Sequence, residues 1–330
     1  MVALLGAAGA KVLGEHVDRK AASHAVCIAA LDCGDQGTAE LVPSIAGSPA
    51  AAARTDRRAV PPTSGDHPAL EGFDADIAHQ PFDGEVFLEG TDGQTPDEAP
   101  ADPNDVSQGA IADCYLVASL AALAYADPSV IERAIRENPD GTYTVTFYED
   151  GKPIEIVVTA DFPMRSGQPV FAGYGDQSAS GDVELWIMII EKAWAQYKGS
   201  WAAIEGGWAG DPLAAITGQP STYLPSGTFE IEDVQTYLDE GYAVTAGTLA
   251  PEEVEAAIAA DPTGTIAQLY NDGVVVAWHA YYVTAVDPVA GTITVRNPWG
   301  WEHGETTLTF EEFEAVFSGL TVNPIEERTP

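Results

Sequence analysis

Apolar and polar residues alternate along TYTVTFYEDGKPIEIVVTADFP, residues 142–163, and predict two strands around a turn that contains Gly151. Upstream, CYLVASLAALA (114–124) is dense in Ala and Leu, both strong helix formers. Downstream, VELWIMIIEKAWAQYK (183–198) reads as a long helix so apolar that it must be buried on most sides. The stretch GGWAGDPLAAITGQ (206–219) carries several glycines and a proline and is the expected boundary between two lobes. Beyond it, VEAAIAA predicts a short helix after Pro251. GVVVAWHAYYVTAVDPVAGTITVRNPWG (273–300) predicts strand, turn, strand and loop, and FEEFEAVFSGL (310–320) a last amphipathic helix. The acidic, turn-rich stretch at 90–109 predicts a loop. Helices come first and strands later, an α+β order in which a helical lobe faces a sheet lobe. There is no internal repeat.

Residues 1–68 interrupt this patterning. They are rich in Ala, Gly, Ser, Pro and Thr, show no sustained period beyond a short helix near residues 21–31, and are expected to be flexible. The apolar start lacks a basic n-region and a small-residue cleavage site, so it is a poor secretion signal. His16, His24, Cys27 and Cys33 fit no zinc-ligand spacing. Order is expected from near Phe73, which divides the chain into a flexible segment or candidate pro-region (1–72), a helical lobe (73–209) and a β-rich lobe (210–330).

Composition narrows the function classes. Hydrophobic residues make up 45% and charged residues 20%, enough for a packed core. No stretch reaches the roughly 18 consecutive apolar residues of a membrane span. The formal net charge is −37, and since residues 1–68 hold six Lys/Arg and seven Asp/Glu, nearly all the excess lies in 69–330. Such a field repels nucleic acid and anionic lipid, and favours cations such as calcium or basic partners. Its plainest effect is on solubility.

Candidate chemistry centres on one of the three cysteines. Cys27 and Cys33 are close enough to pair or to serve as small helix residues, whereas Cys114 stands apart where a polar loop enters a helix. The unpaired backbone N–H groups and dipole at a helix start favour a thiolate, the reactive form of the side chain. His279 lies in a strand-like run among apolar neighbours, a rigid mount for a general base. Asn297 follows the next strand, so strand, turn and strand return it beside His279, where an amide carbonyl can fix the imidazole tautomer. Gln108, six residues before Cys114, can donate to an oxyanion. Trp299 can shield the Asn–His pair from water.

Together these blocks resemble the calpain family of cysteine peptidases. QGAIADCYLVASLAALA resembles its cysteine block, VELWIMIIEKAWAQYKGSWAAIEGG its helix and following glycine turn, WHAYYVTAVD its histidine block and ITVRNPWG its asparagine block, in the family's order over roughly 73–322. Ala112 stands where the family has a glycine and Tyr115 where it has a tryptophan. The resemblance implies a papain-like two-lobed fold and hydrolysis of protein or peptide substrates. Cys114 would be the nucleophile, His279 the base, Asn297 the orienting residue and Gln108 an oxyanion donor. It also implies a calcium site at Asp105 and Glu184, whose carboxylates suit a hard cation and would need backbone oxygens to complete the shell. A second site near Glu302 and Glu305 is less complete, because the family's long insertion is missing and His303 stands where an acid is expected. No EF-hand loop is present. Two other readings share the triad or dispense with it: an acyl transferase, and an effector, toxin or inactive binding module.

Overall fold

The computed structural model describes residues 67–88, 99–178 and 181–325. The expectations for residues 1–66, including the short helix and both early cysteines, lie outside these, as do residues 89–98 of the acidic loop. The architecture is α+β. In chain order the first half contains β1 (Ala78–Pro81), α1 (Cys114–Ala126), α2 (Pro128–Ala134), β2 (Ile135–Glu137), β3 (Tyr143–Glu149), β4 (Lys152–Val158), β5 (Asp161–Arg165), β6 (Gln168–Pro169), α3 (Trp186–Lys198) and α4 (Gly210–Thr217). The second contains β7 (Thr222–Pro225), α5 (Ile231–Asp239), β8 (Ala243–Thr248), α6 (Pro251–Ala260), α7 (Thr265–Asn271), β9 (Ala280–Asp287), β10 (Thr292–Arg296), β11 (Glu305–Thr309), α8 (Phe310–Val316) and β12 (Phe317–Asn323).

Helix α1 forms because its Ala- and Leu-rich run has no polar face to expose, and every residue from Cys114 to Ala124 is buried. It stops where Asp127, followed by Pro128, turns its side chain to cap α2 at Ser129 N (3.0 Å). The strands predicted around Gly151 are β3 and β4, paired from Tyr143↔Val158 to Glu149↔Lys152. They join β2 in a small sheet, and β1, β5 and β6 form another. Sheets are therefore interleaved with the early helices rather than confined to the later half. Helix α3 is as buried as its composition demands, Lys192 included. That ammonium donates to Thr159 O, Thr159 Oγ1 and Asp161 O at 2.7–2.9 Å, which satisfies the buried charge.

The second half is one antiparallel sheet of six strands, ordered β11-β10-β9-β8-β12-β7. Side-chain alternation along β9 decides what each face meets. Ala280 and Tyr282 join the core around α1 and α3, while Tyr281 and Val283 join a second core with Val234 of α5 and Phe313 of α8. The sheet is thus covered on both faces. Its last strand, β12, lies between β8 and β7.

Three expectations are revised. The glycine-rich stretch at 206–219 contains α4, which packs on α1, β3 and β12 and so couples the two halves rather than merely separating them. The last helix ends at Val316, and Phe317–Asn323 is a strand. That strand pairs with both β7 and β8, and Gly319 permits the close approach to β7, since a Cβ there would lie 2.4 Å from Leu224 O. His279 is not within a strand, because β9 begins at Ala280 and Trp278 has a left-handed backbone, φ 52°.

Candidate active site

Cys114 is the first residue of α1, and its neighbour Asp113 is the N-cap. An N-cap aspartate normally accepts from the second or third helical N–H through its side chain. Here no such bond forms; only the Asp113 carbonyl accepts, from Leu116 N (2.8 Å) and Val117 N (3.1 Å). The positive end of the helix is therefore left without an acidic cap at the cysteine, an environment that favours a thiolate. Tyr115, the residue that departs from the family's tryptophan, accepts from Trp194 Nε1 at 2.9 Å through its hydroxyl. Its ring lies under Gly207, where a Cβ would approach to 2.5 Å, and Gly206 N donates to Ala112 O at 2.7 Å. Glycines there let the loop lie directly on the helix start.

His279 and Asn297 are brought together by the β9–β10 hairpin, eighteen residues apart, with Nε2 and Oδ1 at 2.9 Å. The same Oδ1 accepts from Trp299 N at 3.1 Å. A backbone N–H can only donate, so the shared Asn297 atom is the carbonyl oxygen, and His279 Nε2 must carry the proton. That leaves Nδ1 as the basic nitrogen. The Trp299 ring lies 5.0 Å from the imidazole and the Tyr281 ring meets it edge-on at 5.1 Å. His279 N donates to Thr248 Oγ1 (2.9 Å) and Thr248 N to His279 O (3.0 Å), which fixes the main chain. His279 is 5% and Cys114 8% exposed. Helix α1 packs on β8 and β9.

The loop before α1 is tied to the asparagine loop. Gln108 N donates to Pro298 O at 2.9 Å and Ser107 Oγ to Trp299 O at 3.4 Å. Gln108 Nε2 donates to Ile111 O (2.9 Å) and Asp113 Oδ1 (3.3 Å), so both amide hydrogens are engaged. Donation to an oxyanion would require it to release the longer of these contacts.

Two pairs of buried carboxyl groups flank this region. Asp113 faces Glu191 of α3, and Glu191 Oε1 accepts from Ala172 N at 2.9 Å. Asp113 Oδ2 is buried and has a donor only if the facing Glu191 carboxyl is protonated. Burial pushes Asp113 up to about 7 and Glu191 well above the usual carboxylate range, with the neighbouring acid adding to the rise at Glu191. Asp105 and Glu184 form the other pair. Asp105 Oδ2 accepts from Trp186 Nε1 (2.9 Å) and Asp102 N (2.8 Å), and Glu184 Oε1 from Leu88 N (2.7 Å). Gly175 closes over them, since a Cβ there would lie 2.6 Å from Glu184 Oε2. Burial raises both, and Asp105 raises Glu184 further. Two carboxyl groups in contact hold together through a proton or a cation; as hard oxygen donors the pair suits calcium, which would need further oxygens to complete its shell. Among the described residues no group of three or more His, Cys, Asp or Glu could hold a metal. Glu302 lies 3.8 Å from His303 at the surface, and Glu305 opens β11, exposed.

The sequence reading passed over four contributors. Thr248 gives no local signal. Tyr281, two residues after His279, lies in β9 and meets its ring edge-on. Asp113 adjoins the cysteine, and Glu191–Lys192 is a charged pair inside an otherwise apolar helix, which itself signals a buried polar contact.

Residues 96–314 match the family model described as Calpain family cysteine protease. The Calpain-type cysteine protease DEK1 of Zea mays is 33% identical over 216 residues, covering 60% of this chain and 9% of that protein. The Calpain-2 catalytic subunit of Rattus norvegicus is 28% identical over 236 residues, covering 64% of this chain and 31% of that protein. The matched region is thus a minor part of either relative.

The Asp113–Glu191 pair sets an expected pH dependence. The folded state holds protons that the unfolded chain releases near the ordinary carboxylate range, so the contribution of Asp113 is full below about pH 4 and is lost as pH rises through about 7, while that of Glu191 persists to higher pH. Each extra proton bound contributes a slope of ~1.4 kcal/mol per pH unit. Urea unfolding midpoints should fall between pH 5 and 8 in the wild type, and Asp113→Asn should flatten that fall. Equal slopes in both would show that the pair does not share a proton.

Proposed function

This chain belongs to the calpain family of cysteine proteases, and from that membership we propose that it is a cysteine endopeptidase with a papain-like, two-lobed cleft. Cys114 is the nucleophile, His279 the base and acid, and Asn297 the orienting residue. The observation that carries this reading is the double acceptance at Asn297 Oδ1, which fixes the imidazole as its Nε2–H tautomer. The placement of Cys114 at an uncapped helix start supports it further.

In this mechanism the Cys114 thiolate attacks the peptide carbonyl carbon and the carbonyl oxygen becomes an oxyanion. The Cys114 backbone N–H and the Gln108 amide stabilise that charge, the amide giving up its 3.3 Å contact with Asp113. Imidazolium at His279 gives its Nδ1 proton to the leaving amine, and a thioester remains on Cys114. The same nitrogen then takes a proton from water, hydroxide adds to the thioester, and the acid product leaves as the thiolate re-forms. Asn297 holds the ring throughout, and Trp299 keeps water from the bond between them.

Asp105 and Glu184 are the side chains that would hold calcium. A bound cation would supply positive charge there in place of the shared proton. Tyr115 and Ala112, the two departures from the family pattern, are both accommodated by the contacts around Gly206 and Gly207.

Cleavage of unfolded casein tests the assignment. Wild-type protein should release peptides and Cys114→Ala none; Asn297→Ala should lose at least ~10²-fold in kcat/KM, and Gln108→Ala about 10²–10³-fold in kcat. Hydrolysed rather than cross-linked products separate the peptidase from an acyl transferase using the same residues. Persistent cleavage by Cys114→Ala would reject the mechanism.

Calcium makes a separate expectation. At a free concentration about 100 times its Kd it should add ~2.7 kcal/mol to the stability of the wild type, and nothing to the Asp105→Asn/Glu184→Gln variant. Casein cleavage and melting temperature both insensitive to chelator would remove calcium from the account.

A further inference from the structure

Three non-glycine residues have a positive φ among the described residues: Asp150, Ser166 and Trp278. The first two have an evident reason. Asp150–Gly151 and Ser166–Gly167 are the two-residue turns of the β3–β4 and β5–β6 hairpins, where the twist of the strands demands left-handed backbone. Trp278, with φ 52°, is in no such turn. A bulky side chain is among the least suited to this conformation, and glycine would adopt it without steric conflict.

The neighbouring bonds hold Trp278 in place. Its N–H donates to Leu249 O at 2.8 Å, while His279 N donates to Thr248 Oγ1 at 2.9 Å and His279 O accepts from Thr248 N at 3.0 Å. The strain is therefore imposed by the same anchors that fix His279. Strained residues held this way concentrate at working sites. The indole is 46% exposed, so a large apolar surface is left to solvent. A second indole, Trp301, is 56% exposed in the turn after the asparagine loop. The His279–Asn297 bond at 2.9 Å joins the two loops that carry these tryptophans. Aromatic side chains so placed supply large, rigid contact area at low entropy cost.

We propose that Trp278 is a specificity-determining residue that receives an apolar side chain of the substrate on the leaving-group side of the scissile bond. The inference rests on the peptidase reading. The side follows from the chemistry: His279 must face the leaving amine to protonate it, and Trp278 adjoins His279 in the chain. Covering the indole with an apolar substrate side chain removes both surfaces from water, a gain available only when substrate is present.

The test compares two internally quenched peptides that differ only in the residue after the scissile bond, leucine in one and glycine in the other. Wild-type protein should favour leucine by about tenfold in kcat/KM. In Trp278→Gly the ratio should fall towards one, while the melting temperature stays level or rises as the backbone strain is relieved. Trp278→Phe should retain most of the preference. A merely structural tryptophan predicts the reverse for the glycine variant: lower melting temperature and an unchanged ratio. A ratio that survives in Trp278→Gly overturns this inference alone. A wild type that cleaves neither peptide, with Cys114 unlabelled by a thiol-directed peptide inhibitor, overturns the peptidase reading and this inference with it.

Discussion

Asn297 Oδ1 accepts two hydrogen bonds, one from the Trp299 main chain and one from the His279 ring. The first identifies the atom as oxygen, and the second then assigns the proton of the imidazole. Much of the second half of the fold serves this arrangement. The β9–β10 hairpin sets the separation of the two residues, Thr248 at the end of β8 clamps the histidine main chain, and Tyr281 and Trp299 pack against the ring. The first half contributes the start of α1 and the loop before it, tied to the asparagine loop through Gln108 N and Pro298 O. Helix α1 is buried from Cys114 to Ala124, so its first residue is held by packing, and only Tyr125 near its far end is exposed.

Buried acids are the other constraint. Asp113 gives up the usual capping role next to the cysteine and faces Glu191, and Asp105 faces Glu184 on the far side of the same loop. An acidic cap at the cysteine would have opposed negative charge on sulfur; turning that carboxyl inward and sharing a proton avoids the opposition. The two pairs differ in their surroundings. Asp113 and Glu191 are enclosed by helices and Gln108. Asp105 and Glu184 accept from the backbone N–H groups of Asp102 and Leu88 and lie against Gly175. In a chain of net charge −37 the attraction for cations is general.

The elements legible in the sequence were those whose local pattern and tertiary setting agree. Helices α1 and α3 are predominantly apolar and are buried from Cys114 to Ala124 and from Trp186 to Ala195, and the β3–β4 hairpin is marked by alternation and its Asp–Gly turn. His279 and Asn297 could be paired because a hairpin of that length returns the chain beside itself. What was not legible depends on distant partners. The strand that follows α8 pairs with β7 and β8, partners that no window around 310–320 contains. The run before His279 is strand-like in composition, yet hydrogen bonds to Leu249 and Thr248 turn it into a left-handed corner. The role of α4 as a connector, and the turning of Asp113 towards Glu191, likewise follow from packing between segments far apart in the chain.

The account stands on His279 activating Cys114. The direct measurement is the rate at which an irreversible thiol-directed peptide inhibitor modifies Cys114, followed by intact mass in wild-type protein and in His279→Ala at neutral pH. The account predicts stoichiometric modification of the wild type at Cys114 and a rate about 10²–10⁴-fold lower in the variant. Equal rates in the two proteins would contradict it.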